Sequence, residues 1–174
     1  IVTGLMLDLA RVVLEVQSAL VAVGLGRPLV GIGPDCVLVG VDGRCYLADL
    51  GLASLQRPPR HAELMAYRAP EQLGPPGSAD ERSVVFSLGV LWWELLAGRS
   101  LFGGGDQAAV WQRVRGAAVE IPAATPTAVR GPLLKALERE PAARWGLAAL
   151  VDVLAGLAAG APDGAAGVEA LLQT

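Results

Sequence analysis

The chain has 174 residues, of which 53% are hydrophobic and 18% charged. That composition excludes intrinsic disorder and allows one domain with a substantial core. Its 14 basic and 17 acidic residues leave a net charge of -3, so neither nucleic acid nor anionic lipid is an expected partner.

The longest uncharged runs, Val16–Gly26 and Ser83–Trp93, fall short of the roughly 18 apolar residues that a bilayer-crossing helix needs, and no membrane segment is expected. The chain starts at Ile1 with no charged n-region before an apolar stretch, which reads as a piece cut from a longer product. Cys36 and Cys45 have neither a close pair nor histidines at zinc spacing. A reducing compartment and a cytoplasmic location are therefore expected.

In chain order, Leu5, Leu9, Val12, Val13, Val16, Ala19, Leu20 and Val23 recur at spacings of three and four, with Asp8, Arg11 and Glu15 between them. This predicts one amphipathic helix ending near Gly24 and Gly26. Cys36–Val39 and Arg44–Ala48 are short β-type runs around Gly40-Val41-Asp42-Gly43, whose Asp-Gly step favours the positive φ of a hairpin turn. With Val39 facing Arg44 and Cys36 facing Leu47, Cys45 is a diagonal neighbour of Cys36, too poorly aimed for a disulfide.

From Gln56 to Gly77 the chain is rich in Pro, Arg and Gly without a sustained period, so a surface segment ending in a short helical turn near Glu71 is expected. Residues 82–97 are apolar nearly all round, the mark of a helix buried on most sides. Further helices are expected near 106–115, 127–138 and 147–159, between Pro and Gly breaks. No internal repeat or domain boundary is visible, and residues 161–174 read as a tail or linker.

These segments carry ordered landmarks: Asp49-Leu50-Gly51, Tyr67-Arg68-Ala69-Pro70-Glu71, Ser83-Val84-Val85-Phe86-Ser87-Leu88-Gly89-Val90, Glu94-Leu95-Leu96-Ala97-Gly98 and Pro141-Ala142-Ala143-Arg144. Together they resemble the carboxy-terminal lobe of a eukaryotic-type Ser/Thr protein kinase. The resemblance implies a mainly α fold over residues 1–160, with five to seven helices and one small β-hairpin. The amino-terminal lobe of that family is absent from this chain. Neither Gly24-Leu25-Gly26 nor Gly31-Ile32-Gly33 makes a phosphate loop, since each lacks the third glycine of that fingerprint.

The family's catalytic loop reads H-R-D-x-K-P-x-N, with its Asp about eighteen residues before the Asp of D-F-G. In that register the loop here is Leu29-Val30-Gly31-Ile32-Gly33-Pro34-Asp35-Cys36. Gly31 then occupies the catalytic Asp position, Gly33 that of the phosphate-facing Lys and Cys36 that of the second metal-binding Asn. Phosphoryl transfer needs a carboxylate at the substrate hydroxyl, positive charge and oxygen ligands for magnesium. Glycine supplies none of these. Val30, Leu64 and Val84 replace further groups that serve the catalytic loop, whereas Glu71 and Arg144 match a structural ion pair, and Gly89 and Glu94 match the central helix.

Asp49 matches the family's magnesium-binding Asp, but an Asp before an apolar residue and a Gly after a strand is also an ordinary turn former. His61 reads as solvated, and Arg57, Arg60 and Arg68 as a solvated face. A phosphate on Ser54 would find no Arg at position 30. Trp92 and Trp93 are core candidates; Trp111, in a stripe with Val110 and Val114, is core or a partner surface. The reading that follows is a catalytically degenerate kinase-like domain, pseudokinase-like, acting as a binding, scaffolding or regulatory module toward a protein partner or other domains of the same polypeptide. No cofactor is expected. The alternatives are an active Ser/Thr kinase using Asp35 or Asp49 with Mg-ATP and an upstream lobe, and a helical interaction domain with no nucleotide site.

Overall fold

The computed structural model describes residues 1–24, 29, 32–48, 64–73 and 79–160. Among the described residues the order is helix α1 (Val2–Ala22), strands β1 (Val37–Val39) and β2 (Cys45–Leu47), then helices α2 (Glu81–Ala97), α3 (Gln107–Gly116), α4 (Thr127–Ala136) and α5 (Leu147–Ala159). Short 3-10 turns lie at Pro34–Cys36, Pro70–Leu73 and Pro141–Ala143. The mainly α fold with one small antiparallel hairpin agrees with expectation, as do five of its helices. The tail from residue 161 lies outside the described residues.

Helix α1 lies against α5, α2 and β2 and buries Met6, Leu7, Leu9, Ala10, Val13 and Gln17. The expected apolar stripe is therefore corrected at its carboxy-terminal end, where Ala19 and Val23 are exposed. The helix runs past the edge of the core there. Its last buried contact is polar, the Leu29 N–H donating to Gln17 Oε1 at 3.0 Å.

The hairpin register is one residue from that expected: Val37 faces Leu47 and Val39 faces Cys45. The cause lies in the turn. Gly40 N–H donates to the Arg44 carbonyl and Gly43 N–H to the Gly40 carbonyl, so the loop has three residues and ends on Gly43 at φ +77°, a left-handed position that glycine accepts without strain. A one-residue slip exchanges the faces of a strand. Here it turns Cys45 inward at 3% exposure and leaves Tyr46 outside. No disulfide forms.

The Cys45 N–H donates to Asp8 Oδ2 at 2.5 Å, and its thiol lies 3.6 Å from the Leu5 carbonyl oxygen. The hairpin is thus docked on α1 through the α1 carboxylate. Burial first, and then the neighbouring Asp8 charge, push the Cys45 thiol up to about 11.

Helix α2 is buried without interruption from Ser83 to Trp93. It starts under the side chain of Asp80, which accepts from Arg82 N–H, and ends at Gly98 with φ +65°, a left-handed cap that favours glycine. Gly89 allows close approach to α4, since a Cβ there would stand 3.1 Å from Leu137 Cδ2 and 3.2 Å from Ala136 Cβ. Phe86 stacks on Phe102 with ring centroids 6.1 Å apart. The run Pro141–Ala159 is apolar and long enough by composition to cross a membrane, with mean hydropathy 1.5. Only 13 of its residues form regular helix, and Leu147, Leu150 and Leu154 on that helix are core residues.

Arg144, just before α5, is fully buried and lies against Glu71. Its Nη1 donates to Glu71 Oε1 and the Arg82 carbonyl, both at 2.7 Å. Its Nη2 donates to Glu71 Oε2 and the Arg139 carbonyl, both at 3.2 Å, and its Nε to the Glu138 carbonyl at 2.8 Å. These acceptors match the guanidinium's five donors. Burial alone would push the Glu71 carboxyl up. The hydrogen bonds from Arg144 and Ser83, with the Arg144 charge, outweigh it and hold the carboxyl below its ordinary value.

Removing either partner strands a buried charge, so Arg144→Ala and Glu71→Ala are each expected to destabilise the chain by about 3–5 kcal/mol in denaturant melts. A depressed carboxyl contributes stability above the unfolded value of about 4.3 and loses it as pH falls through the folded value. Stability should therefore drop in that acid range, and Glu71→Gln should flatten the drop; an unchanged slope would contradict the ion pair. The Cys45 thiol should resist iodoacetamide at pH 8 in the folded chain and react on unfolding, as mass spectrometry of the alkylated protein will read.

Candidate functional site

The residues that follow α1 and those that precede α2 come together where Gly33 meets the Tyr67 ring, beside the central helix. Leu29 and Ile32 are core residues, each 5% exposed. Gly33 is buried, with ordinary extended backbone at φ -109° and ψ 178°, and it caps the turn Pro34–Cys36. Asp35 points to solvent on that turn, and Cys36 is half-buried. Gly31 and Val30, together with Asp49, Leu50, Gly51, Ser54, Arg57, Arg60 and His61, lie outside the described residues.

Opposite this turn stands the segment 64–73. The sequence suggested that Gln56–Gly77 is a surface segment; for its described part this is corrected. Met65, Ala66, Tyr67, Ala69 and Leu73 are all buried. The segment lacks an apolar period because its buried positions are set by bonds within the segment and to α2. Ala69 N–H donates to Gln72 Oε1 at 2.9 Å. Ser87 Oγ donates to the Tyr67 carbonyl at 2.6 Å, and Ser83 Oγ to Glu71 Oε1 at 2.7 Å.

Ser83 and Ser87 are four residues apart and thus on one face of α2. Their bonds run to Glu71 and Tyr67, themselves four apart. Sequence analysis passed over both serines. The available signal was a pair of hydroxyls at helical spacing inside an otherwise apolar helix, which must find acceptors when buried.

Glu94 is the second acceptor centre. Its Oε2 accepts from Tyr67 Oη at 2.7 Å, and its Oε1 accepts from Ser100 Oγ and Leu101 N–H, both at 2.8 Å. One carboxylate therefore joins segment 64–73 to the chain beyond α2. Tyr67 is tied at both its hydroxyl and its carbonyl, and its ring faces Gly33: a Cβ built on that glycine would lie 3.1 Å from Tyr67 Cδ2. Sequence reasoning missed this contact altogether. Val84 is fully buried.

Glu71 and Arg144 are brought together as the resemblance implies. Trp92 and Trp93 are core, 1% exposed each; Trp93 Nε1 donates to the Glu120 carbonyl at 2.8 Å. Trp111 does not share the core stripe of Val110 and Val114, both fully buried. It lies to one side, packed on the edge of the core, with Arg115 5.3 Å over its ring. With Asp106, Gln107 and Ala108 it lines an open depression. Among the described residues no three His, Cys, Asp or Glu side chains gather into a metal-binding group.

No family model matches the chain. Over 77 residues, 41% of its length, it is 42% identical to the serine/threonine-protein kinase PknL of Mycobacterium tuberculosis and of Mycobacterium bovis. The match spans 19% of the length of those relatives. With its mainly helical frame and hairpin, the chain is kinase-like, related over that segment to a Ser/Thr protein kinase.

Proposed function

We propose that this kinase-like domain has lost phosphoryl transfer and works as a binding, scaffolding or regulatory module in signalling, toward a protein partner or other domains of the same polypeptide, in the cytoplasm. One contrast carries the reading: the Glu71–Arg144 frame is kept in full hydrogen-bonded form, while the facing loop offers Gly33 and Cys36 where the family places a lysine and an asparagine. The frame serves the fold, and the missing groups serve catalysis.

The described residues do not fit Mg-ATP. Position 33 brings no cation, and the space beyond its Cα is taken by the Tyr67 ring. Cys36 presents sulfur where magnesium, a hard cation, takes oxygen. Asp35 is exposed on its turn. Gly31 at the catalytic-base position and Asp49 at the metal position enter this reading from the sequence register alone. Trp111, beside its open depression, is the residue proposed to face a partner.

Incubated with magnesium ATP and a Ser/Thr peptide, the chain should transfer no phosphate, alone or joined to an upstream lobe. Stoichiometric labelling that Asp35→Asn or Asp49→Asn abolishes would establish the active-kinase reading instead. Millimolar ATP with magnesium should also leave the melting temperature unchanged, because stabilisation follows RT ln(1 + [L]/Kd) and vanishes for a very weak site. A rise of several degrees would show that nucleotide binding survived the loss of the loop.

A further inference from the structure

Position 33 is a glycine for a reason that its backbone does not supply. At φ -109° and ψ 178° it is extended, a conformation open to any L-residue. What the site lacks is room. A Cβ would stand 3.1 Å from Tyr67 Cδ2, 3.5 Å from Cε2 and 3.6 Å from Cγ, so a side chain of any kind meets the edge of the ring.

A ring that swings freely yields a few tenths of an ångström at little cost. This one is fastened at both ends. Tyr67 Oη donates to Glu94 at 2.7 Å, and the Tyr67 carbonyl accepts from Ser87 Oγ at 2.6 Å. Both anchors stand on α2, and Glu94 is itself braced by Ser100 and Leu101. The residue is 8% exposed, so no solvent-side space is open for it to move into.

We propose that Gly33 is a notch that seats the Tyr67 ring and locks segment 64–73 to α2, making that segment a fixed element of this chain and not a switch. The inference rests on the reading of position 33 given above and deepens it. The absence of a side chain at position 33 and the place of the Tyr67 ring belong together, since the ring fills the space that a Cβ would need. A lysine restored at position 33 meets the same ring, so back-substitution there does not rebuild a phosphate-facing cation.

The test is a double-mutant cycle on the whole chain with Gly33→Ala and Tyr67→Ala, read by melting temperature and by exchange of the Tyr67, Arg68 and Gln72 amides, which bond within the segment. Beside Tyr67, Gly33→Ala should lower the melting temperature by at least about 2 °C and speed those amides roughly tenfold. In the Tyr67→Ala background it should be harmless or slightly stabilising, since alanine restricts the unfolded chain. Tyr67→Phe, which keeps the ring but drops the tie to Glu94, supplies a second cycle that decides alone if Tyr67→Ala does not fold. There the cost of Gly33→Ala should fall by at least about half. Equal costs in all backgrounds, or no cost beside Tyr67, would overturn the notch. None of these readouts involves nucleotide, so failure of the notch and failure of the catalytically silent reading are separate results.

Discussion

The buried guanidinium of Arg144 is the constraint on which the rest of the structure depends. A charge taken fully out of water costs several kcal/mol unless each of its donors is met. Here the acceptors come from widely separated places: the Glu71 carboxylate, the Arg82 carbonyl in the first turn of α2, and the Glu138 and Arg139 carbonyls after α4. Satisfying one side chain therefore sets the relative position of segment 64–73, the start of α2 and the approach to α5. The Arg144 guanidinium also lies 5.1 Å over the Phe86 ring, which adds a cation–π contact from the central helix.

A polar ladder extends this constraint along α2. Glu71 with Ser83, Tyr67 with Ser87 and again Tyr67 with Glu94 fasten one irregular segment at three points along the helix. An irregular backbone can be buried only when its polar groups are met elsewhere. Such a framework draws its donors and acceptors from α2 and segment 64–73 themselves. None of these three bonds uses a side chain of the turn Pro34–Cys36.

Much of the frame was legible in the sequence because it is periodic. The expected 106–115 and 147–159 correspond to Gln107–Gly116 and Leu147–Ala159, bounded by an Asp cap and by glycines. The helix expected to reach 138 stops at Ala136, because the chain must turn to aim the Glu138 and Arg139 carbonyls at Arg144. Such a demand comes from a residue outside the helix and leaves no local mark. The hairpin register was missed for a similar reason: an Asp-Gly step marks a turn without stating how many residues the loop holds. The Glu71–Arg144 pair came from the resemblance, since nothing in either segment alone points to the other. The seating of Tyr67 on Gly33 was invisible because that glycine answers to space and not to backbone conformation.

Helix α2 has no face to spare, being buried from Ser83 through Trp93, and it touches α1, α4 and α5. A helix apolar all round is not stable on its own in water. Elements on both sides of it in the chain are needed to cover it. The fold accordingly has no smaller half that can stand as a module: dividing the chain before or after α2 leaves one fragment with an uncovered core helix and the other with an empty slot. For a domain whose proposed work is to present a surface, this makes the whole set of helices, and not any one of them, the smallest unit that can carry it.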